Sequence, residues 1–340
     1  MPPAGGSQES TITTAMTDVL TDAKTVAKTD AKTDVMTDAE CRAVLNPPDT
    51  LANRVTTFIG VVGPFIGLLV AMYALWGWAF SPVYLVLLIV MYLASGLGIT
   101  IGYHRLFTHR AFKTSRTVEF VLGVLGSMAV EGPLLRWVAT HRCHHRHSDE
   151  RDDPHSPNHF GGGVFGVISG WWHAHMGWIF IAKTIDLTPF VPDLRADKLL
   201  RTVSRLFPVW VLLGFLIPAV LGGVITLSWT GALLGFLWGG VVRVFIVHHA
   251  TWSINSVCHL WGQRPFESRD ESRNNFLCGV LAFGEGWHNN HHAFPSSARH
   301  GLRWWEFDMS YTVIRGMELV GIAWRVRRPT LARIAARRAR

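Results

Sequence analysis

Two long stretches of this chain contain no charged residue, and they constrain its fold more than any other feature. No Asp, Glu, Lys or Arg occurs between Arg54 and Arg105, or between Arg205 and Arg243. A helix that spans a bilayer needs about 20 apolar residues, so each stretch can hold two spans joined by a short turn. The sequence therefore predicts an all-α integral membrane protein. Its four transmembrane helices are expected near residues 55–77, 83–103, 206–227 and 231–250.

The distribution of Lys and Arg predicts the orientation of these spans. Both short turns within the pairs lack Lys and Arg, whereas the other segments carry all of them. By the positive-inside rule those other segments face the cytoplasm. We therefore expect a cytoplasmic helical cap made of residues 104–205 and 251–328.

The two ends of the chain differ in composition from this predicted membrane domain, which covers residues 48–328. Residues 1–47 include repeated tetrads such as TDAK and have few large apolar side chains, so we predict that they are disordered. Residues 329–340 are a basic tail. Its arginines favour contact with anionic lipid headgroups; the alternatives are an acidic electron carrier or the phosphates of a substrate.

Three histidine clusters and one single histidine lie at or beyond the predicted cytoplasmic ends of the spans. In an H-x-x-H-H segment the three imidazoles share one helical face, and two such segments occur. Neutral imidazole is a common metal ligand, but six imidazoles are too many for one four-coordinate ion. The pattern predicts a site for two metal ions. The nine histidines are His104, His109, His141, His144, His145, His259, His288, His291 and His292.

The text around these histidines includes GYHRLFTHRAF, HRCHHRHSD, NSVCH and EGWHNNHHAFP. It resembles the integral-membrane fatty acid desaturases, specifically the Δ9 group that is similar to stearoyl-CoA desaturase, over roughly residues 50–328. The resemblance implies that the nine histidines bind two Fe²⁺ ions and that Asn255 holds a metal-bound water. It also implies that Thr251 and Trp252 line the bend of a substrate tunnel. No catalytic residue is expected beyond the metal ligands.

The resemblance implies an O₂-dependent desaturase that introduces a cis double bond, at Δ9 of a saturated acyl chain, in unsaturated fatty acid biosynthesis. The acyl chain would be carried on CoA or a membrane lipid. Two electrons would come from a separate donor: a ferredoxin, a cytochrome b5-like carrier or a flavin reductase. Nucleic acid is not an expected partner. The motifs look closer to bacterial and plant enzymes, which favours a bacterial inner membrane with the active site facing the cytoplasm.

Two other functions remain open from the sequence. Membrane hydroxylases and monooxygenases of lipids or hydrocarbons have similar histidine boxes and insert oxygen instead of removing hydrogen. A membrane metal transporter or sensor is a different class, but transport predicts ionisable ligands within the spans. The apolar stretches here contain no histidine until their cytoplasmic ends, which counts against transport.

The remaining polar and aromatic residues have less specific interpretations. His248 and His249 are predicted to form hydrogen bonds near the site and not to bind metal. Asp149, Asp152 and Asp153 either orient ligand imidazoles or belong to a solvated loop. Other histidines are interpreted as surface or hydrogen-bonded core residues, and three tryptophans as anchors at the membrane interface. These residues are His147, His155, His159, His173, His175, His300, Trp304, Trp305 and Trp324.

Overall fold

The computed structural model describes residues 36–75, 81–181 and 185–339. Fifteen α-helices and one two-stranded sheet make up its regular structure, together with two π-helical and two 3₁₀ segments. The helices are α1 Asp38–Leu45, α2 Leu51–Leu75, α3 Pro82–Leu97, α4 Arg116–Ser127, α5 Leu134–His147, α6 Gly163–His175, α7 Pro192–Ala196, α8 Lys198–Arg205, α9 Phe207–Thr226, α10 Trp229–Gly235, α11 Arg243–Leu260, α12 Phe276–Leu281, α13 His288–Ala293, α14 Met309–Leu319 and α15 Leu331–Ala336. The π-helices are Gly98–Thr108 and Phe236–Val242, the 3₁₀ helices are Gly177–Phe180 and Thr188–Phe190, and the strands are β1 Lys113–Thr114 and β2 Ala323–Trp324.

Within the described residues, four helices are long and apolar enough to cross a membrane, which confirms the predicted all-α membrane fold. We number them spans 1 to 4: Leu51–Leu75, Pro82–Thr108, Phe207–Thr226 and Trp229–Leu260. Spans 2 and 4 contain 27 and 32 residues, each including a π-helical segment. At about 1.5 Å per residue they exceed the hydrocarbon core of about 30 Å. Their histidine-bearing ends therefore extend beyond the apolar layer into the cap.

Two shorter apolar segments of the cap form helices that lie outside the four spans. Helix α4 buries Leu122 and Gly126 but exposes Phe120 and Val121. Helix α6 has 13 residues, too few to cross a bilayer, and its Phe165 is 86% exposed. These amphipathic faces are typical of helices at a membrane interface.

The structure differs from the predicted disorder in the last part of residues 1–47. Residues 1–35, with most of the tetrad repeat, lie outside the described residues. Helix α1 follows, and a capping box between Thr37 and Glu40 fixes its first turn. Its Cys41 and Leu45 are buried, so this helix has an apolar face that the repeat pattern did not indicate.

The basic tail also contains ordered structure. In α15, Ile334 packs against Phe266 and Phe294. The backbone N–H of Glu267 donates to the carbonyl of Arg337, and that of Ala339 donates to the carbonyl of Pro265. Residues 331–339 therefore pack on the loop at residues 263–273.

Candidate metal centre

The nine predicted histidines come from four helical segments and meet in two groups. Within each group, one potential ligand atom per residue lies within 4.8 Å of the others. We call them the five-histidine group and the four-histidine group. The first contains His104, His109, His141, His145 and His291; the second contains His144, His259, His288 and His292.

A π-helix brings together His104 of span 2 and His109, the residue that directly follows this span. His109 donates its backbone N–H to the carbonyl of His104 at 3.1 Å, which is an i+5 hydrogen bond of a π-helix. In an α-helix, residues five apart would point about 140° away from each other. Here the two rings are 4.8 Å apart. The H-x-x-x-x-H spacing therefore suits a π-helix, and segments of this kind are frequent at functional sites.

Each H-x-x-H-H segment contributes to both groups. On α5, His141 and His145 belong to the five-histidine group, whereas His144 belongs to the four-histidine group. On α13, His288 and His292 belong to the four-histidine group and His291 to the five-histidine group. Helices α5 and α13 thus each connect the five-histidine group to the four-histidine group.

The distances between ring nitrogens fit ligands that share an ion. The Nε2 atom of His291 lies 3.1 Å from that of His104 and 2.9 Å from that of His145. In the other group, the Nε2 atoms of His259 and His288 are 3.1 Å apart. Nitrogens that each bind one metal ion at about 2.1 Å, at right angles, would be about 3.0 Å apart. The buried Nε2 atoms of His109 and His292 have no hydrogen-bond partner, as expected for ligand atoms.

Four carboxylates hold the opposite side of these rings. Glu285 contacts Nδ1 of His104 at 2.6 Å, and Asp153 contacts Nδ1 of His144 at 3.0 Å. The Nδ1 atoms of His259 and His292 lie 3.0 Å from Asp149 and 2.5 Å from Asp270. Such carboxylates fix the tautomer and leave Nε2 free to bind a metal.

Two of these carboxylates were not predicted from the sequence, and one predicted carboxylate has a different role. Asp149 and Asp153 take the predicted orienting role, but the contact that Asp152 makes is through its backbone carbonyl, to the Cys143 thiol. Glu285 lies three residues before His288, in the turn that precedes α13, and contacts His104 of another segment, so helical spacing does not indicate it. Nothing in the local sequence singles out Asp270.

Burial and mutual repulsion favour neutral imidazoles at most of these histidines, whereas the charge of Asp153 raises the pKa of His144 despite its burial. Burial is the largest cause that lowers the pKa of His141 well below its usual range, and the surrounding histidines lower it further. The same causes act on His145, His288 and His291. Burial lowers the pKa of His292 to about 4 although Asp270 partly opposes it. Neutral imidazole is the form that binds metal.

The orienting carboxylates are charged. Burial alone would raise the pKa of Asp153, but the charge and hydrogen bond of His144 lower it below its usual range. Asp270 is buried too, and the hydrogen bond and charge of His292 lower its pKa. Neutral imidazoles such as His141 and His288, together with these buried anions, favour a cation at the site, as a metal centre requires.

A buried ion network supports the ring of His104 from outside. Arg105 is fully buried and forms ion pairs with Glu285 and Asp308. His300 lies 3.3 Å from Glu285 and its ring is 4.5 Å from that of His291. We interpreted His300 as a surface or core residue from the sequence, and it is a buried neighbour of the site.

An apolar cavity between spans 2 and 4 ends at the histidines. Predicted site residues Asn255 and Thr251 line it, one helical turn apart on α11. His104, His141 and His288 stand at the metal end of the cavity. Tyr92 and Gly96 of span 2 and Phe283, which follows α12, also line it. Trp137 stacks on His141 with 5.1 Å between ring centroids.

Trp252 does not line this cavity, which differs from the role implied by the resemblance. It follows Thr251 by about 100° around α11, so it points to another side of the helix. Its ring stacks on His248 at 4.6 Å. His248 donates its Nε2–H to the carbonyl of Ala129, and His249 forms a hydrogen bond with His175. Neither His248 nor His249 joins a histidine group, which fits their predicted hydrogen-bonding role.

Comparison with known proteins agrees with this site. Residues 76–325 match the family model described as fatty acid desaturase. The chain is 46% identical over 277 residues to the hex-5-enoyl-[acyl-carrier protein] acetylenase of Moorena producens (strain JHB), covering 81% of this chain and 86% of that protein. It is 38% identical over 244 residues to the sn-1 stearoyl-lipid 9-desaturase of Anabaena variabilis, covering 71% and 83%. It is also 38% identical over 247 residues to Delta-9 acyl-lipid desaturase 1 of Arabidopsis thaliana, covering 71% and 74%. The chain belongs to the fatty acid desaturase family.

Proposed function

We propose that this protein uses O₂ to introduce a cis double bond at Δ9 of a saturated fatty acyl chain, at a site that holds two Fe²⁺ ions. One observation carries the proposal: two histidine groups meet at the end of an apolar cavity. Iron suits imidazole ligands, and it is a metal that carries O₂ chemistry. The nine histidines would bind the two ions and Asn255 would hold a water beside them.

The reaction removes two hydrogens from adjacent methylenes and reduces O₂ to two waters, so it consumes two external electrons and two protons. When bound, the iron pair supplies the O₂-derived oxidant that an unactivated C–H bond requires. The protein's own residues position the imidazoles that would bind the iron ions. Glu285, Asp149, Asp153 and Asp270 fix the imidazoles, as their contacts with Nδ1 atoms require.

The cavity selects the bond that reacts. Its walls at Trp137, Thr251 and Ile254 would bury methylenes and exclude water from the acyl chain. Among the described residues that line the cavity, the ionic side chains stand at its histidine end. An acyl chain therefore fits the cavity better than a polar substrate does. The position of the double bond then follows from how far the chain extends past His104 and His288.

The acyl carrier and membrane location are further parts of the proposal. CoA or a lipid is the carrier that we favour, in a bacterial inner membrane with the cap in the cytoplasm and with residues 48–328 as the catalytic unit. The named activities of the relatives in Anabaena and Arabidopsis support a lipid carrier. Electrons would come from a separate ferredoxin, cytochrome b5-like carrier or flavin reductase.

A second candidate activity is acetylenase activity on an acyl chain bound to acyl-carrier protein. The observation that favours it is the relative in Moorena producens, at 46% identity over 81% of this chain. Such a reaction removes two further hydrogens from an existing double bond, with the same demand for O₂ and electrons.

The test is expression in a desaturase-deficient host that provides an electron donor, followed by gas chromatography and mass spectrometry of total fatty acids. New cis-9 monounsaturated acids, absent with the His288→Ala variant, would support the proposal. A terminal or internal alkyne would favour the acetylenase. A hydroxylated product would mean that the protein inserts oxygen and does not desaturate. The absence of products from all of these classes would contradict the proposed function.

A further inference from the structure

A basic face covers the four-histidine group on the cap. It is formed by residues 263–273, 303–305 and 331–339, which contact one another: Phe266 pairs with Arg338, and Arg303 donates to the side chain of Gln263. Two exposed glutamates, Glu267 and Glu271, are the acidic residues of its surface. Six of its arginines are Arg264, Arg269, Arg273, Arg303, Arg333 and Arg338.

Only one layer of protein separates this face from the metal centre. Asp270, on the same loop as Arg269, reaches His292. The backbone N–H of Glu271 donates to Asp149, the carboxylate that orients His259. The loop therefore has arginines on its outer side and the partners of two ligands on its inner side.

A row of aromatic rings also leads inward from this face. Trp304 is 94% exposed and Trp305 is 37% exposed. The Trp305 ring lies under the Arg303 guanidinium, 5.6 Å away, and 5.5 Å from the ring of buried Trp287. Trp287 directly precedes His288, whose Nε2 lies 3.1 Å from that of His259. Two steps, the ring contact between Trp305 and Trp287 and the peptide bond between Trp287 and His288, thus join the surface to the four-histidine group.

We propose that this basic face is the docking site of the electron donor, a small acidic redox protein, and that electrons enter through Trp305 and Trp287. The inference rests on the proposed function, which needs two external electrons. Each encounter would oxidise the carrier by one electron and reduce the metal pair by one, so two encounters supply the pair. Complementary charge speeds such encounters, and weak redox complexes use small interfaces.

This assignment changes the interpretation of Trp304 and Trp305 as membrane anchors. The ring of Phe276, the first residue of α12, contacts the ring of Trp287. The same helix exposes Leu277 and Val280, which would contact lipid. The arginines lie on the other side of Trp305, toward Gln263. The tryptophans therefore stand at the border between a lipid-facing apolar edge and a charged edge, where a soluble carrier beside the membrane can reach them.

The test is the anaerobic reduction of oxidised, iron-loaded protein in nanodiscs by a reduced plant-type [2Fe–2S] ferredoxin, an acidic protein, in a stopped-flow instrument. One variant neutralises two charges of the face, Arg303→Gln with Arg269→Gln. Its matched control is Arg325→Gln with Arg327→Gln, two exposed arginines at or just after β2. A third variant is Trp305→Leu. Dithionite, a small reductant that needs no docking, checks that every variant has an accessible iron pair.

We expect the face variant to lower the second-order rate constant about tenfold at low salt, and the difference to shrink at high salt. The control should stay within about twofold of the wild type, because rim charges elsewhere contribute little. Trp305→Leu should lower the limiting rate without changing the dissociation constant of ferredoxin.

Equal effects of the face variant and its control would overturn the proposal. The proposal would also be overturned if the face variant were reduced by ferredoxin at the wild-type rate but bound anionic vesicles more weakly. The arginines would then bind lipid headgroups and not the electron donor. A failure of the proposed function has a different signature: protein that dithionite reduces but that forms no unsaturated product with any donor.

Discussion

Spans 1 and 3 differ from spans 2 and 4 in what their surfaces contact. In the most apolar window of each helix, 17% of residues are buried in spans 1 and 3, against 50% and 56% in spans 2 and 4. The shorter pair has no histidine, whereas the longer pair supplies His104 and His259 and much of the cavity lining. Spans 1 and 3 thus resemble a lipid-facing support, and spans 2 and 4 build the site.

The largest effect is expected when a histidine of the metal centre is removed from the cap, outside all four spans. His144→Ala should reduce desaturase activity below detection and lower bound iron, because one coordinating Nε2 disappears from the four-histidine group. Membrane insertion should be unchanged, since His144 lies outside the spans. Product analysis, iron content and membrane fractionation measure the three quantities.

The matched control is His147→Ala on the same helix. His147 belongs to neither histidine group and lies 3.6 Å from Glu150. It should keep wild-type activity within about twofold, because a surface ion pair contributes little. Retained turnover in the His144→Ala protein would remove that residue from the site.

A pair of glycine substitutions compares the packing of spans 2 and 1. A Cβ at Gly98 would lie 2.2 Å from the backbone nitrogen of Gly126, whereas a Cβ at Gly60 meets nothing within 4 Å. Gly98→Ala should therefore lower the free energy of unfolding by about 1–3 kcal/mol or more. Gly60→Ala should have no effect or raise it slightly. Unfolding in mixed detergent gives both values, and equal values would contradict the division between the spans.

The carboxylates that orient ligands should matter less than the ligands. Asp270→Asn keeps the size of the side chain but weakens its bond to Nδ1 of His292. We expect iron affinity to fall about 10- to 100-fold. Glu271→Gln on the same loop, exposed and paired with Arg264, is the control and should bind iron normally. Competition with a chelator measures both affinities.

Acidification of metal-free protein should destabilise the cap more than spans 1 and 3. The folded pKa of His292 is about 4, below the unfolded value of about 6.5. The unfolded chain therefore binds more protons between these values, and stability falls as the pH decreases from about 6.5 toward 4. The low pKa values of Asp153 and Asp270 act in the same direction at still lower pH. Hydrogen exchange of α5 and α13 between pH 7 and pH 5 would reveal the loss, and unchanged protection would contradict it.

The smallest effect is expected from removing residues 329–340. Ile334 packs on Phe266 and Phe294, and the backbone of Arg337 pairs with Glu267. Without them the loop that carries Asp270 loses one support, so iron should dissociate a few-fold faster. No change in the dissociation rate would mean that this segment only covers the surface.

The sequence predicted the spans and the clustering of the histidines because their signals are local. Charge-free stretches of sufficient length mark spans, and histidine spacing marks ligands, whatever the tertiary contacts. The division of the histidines into groups depends instead on how α5 and α13 cross, which no spacing reveals. His144 and His145 are neighbours in sequence but belong to different groups.

The residues that the sequence did not identify act over long separations. Asp270 meets His292 across 22 residues, and Arg105 meets Asp308 across 203. The tunnel role that the resemblance implies for Trp252 depends on local helical rotation, which turns its ring toward His248 while Thr251 lines the cavity. The helix of residues 38–45 was missed because its apolar face has only a few residues.

The most direct test of the account is the iron content of protein loaded anaerobically with Fe²⁺ and freed of excess metal. We predict two iron ions per chain in the wild type and about one in a His109→Ala variant, which disrupts only the five-histidine group. Mass spectrometry of the native protein in detergent can count the ions directly. A single ion per chain in the wild type, with no change in the variant, would contradict a two-metal centre.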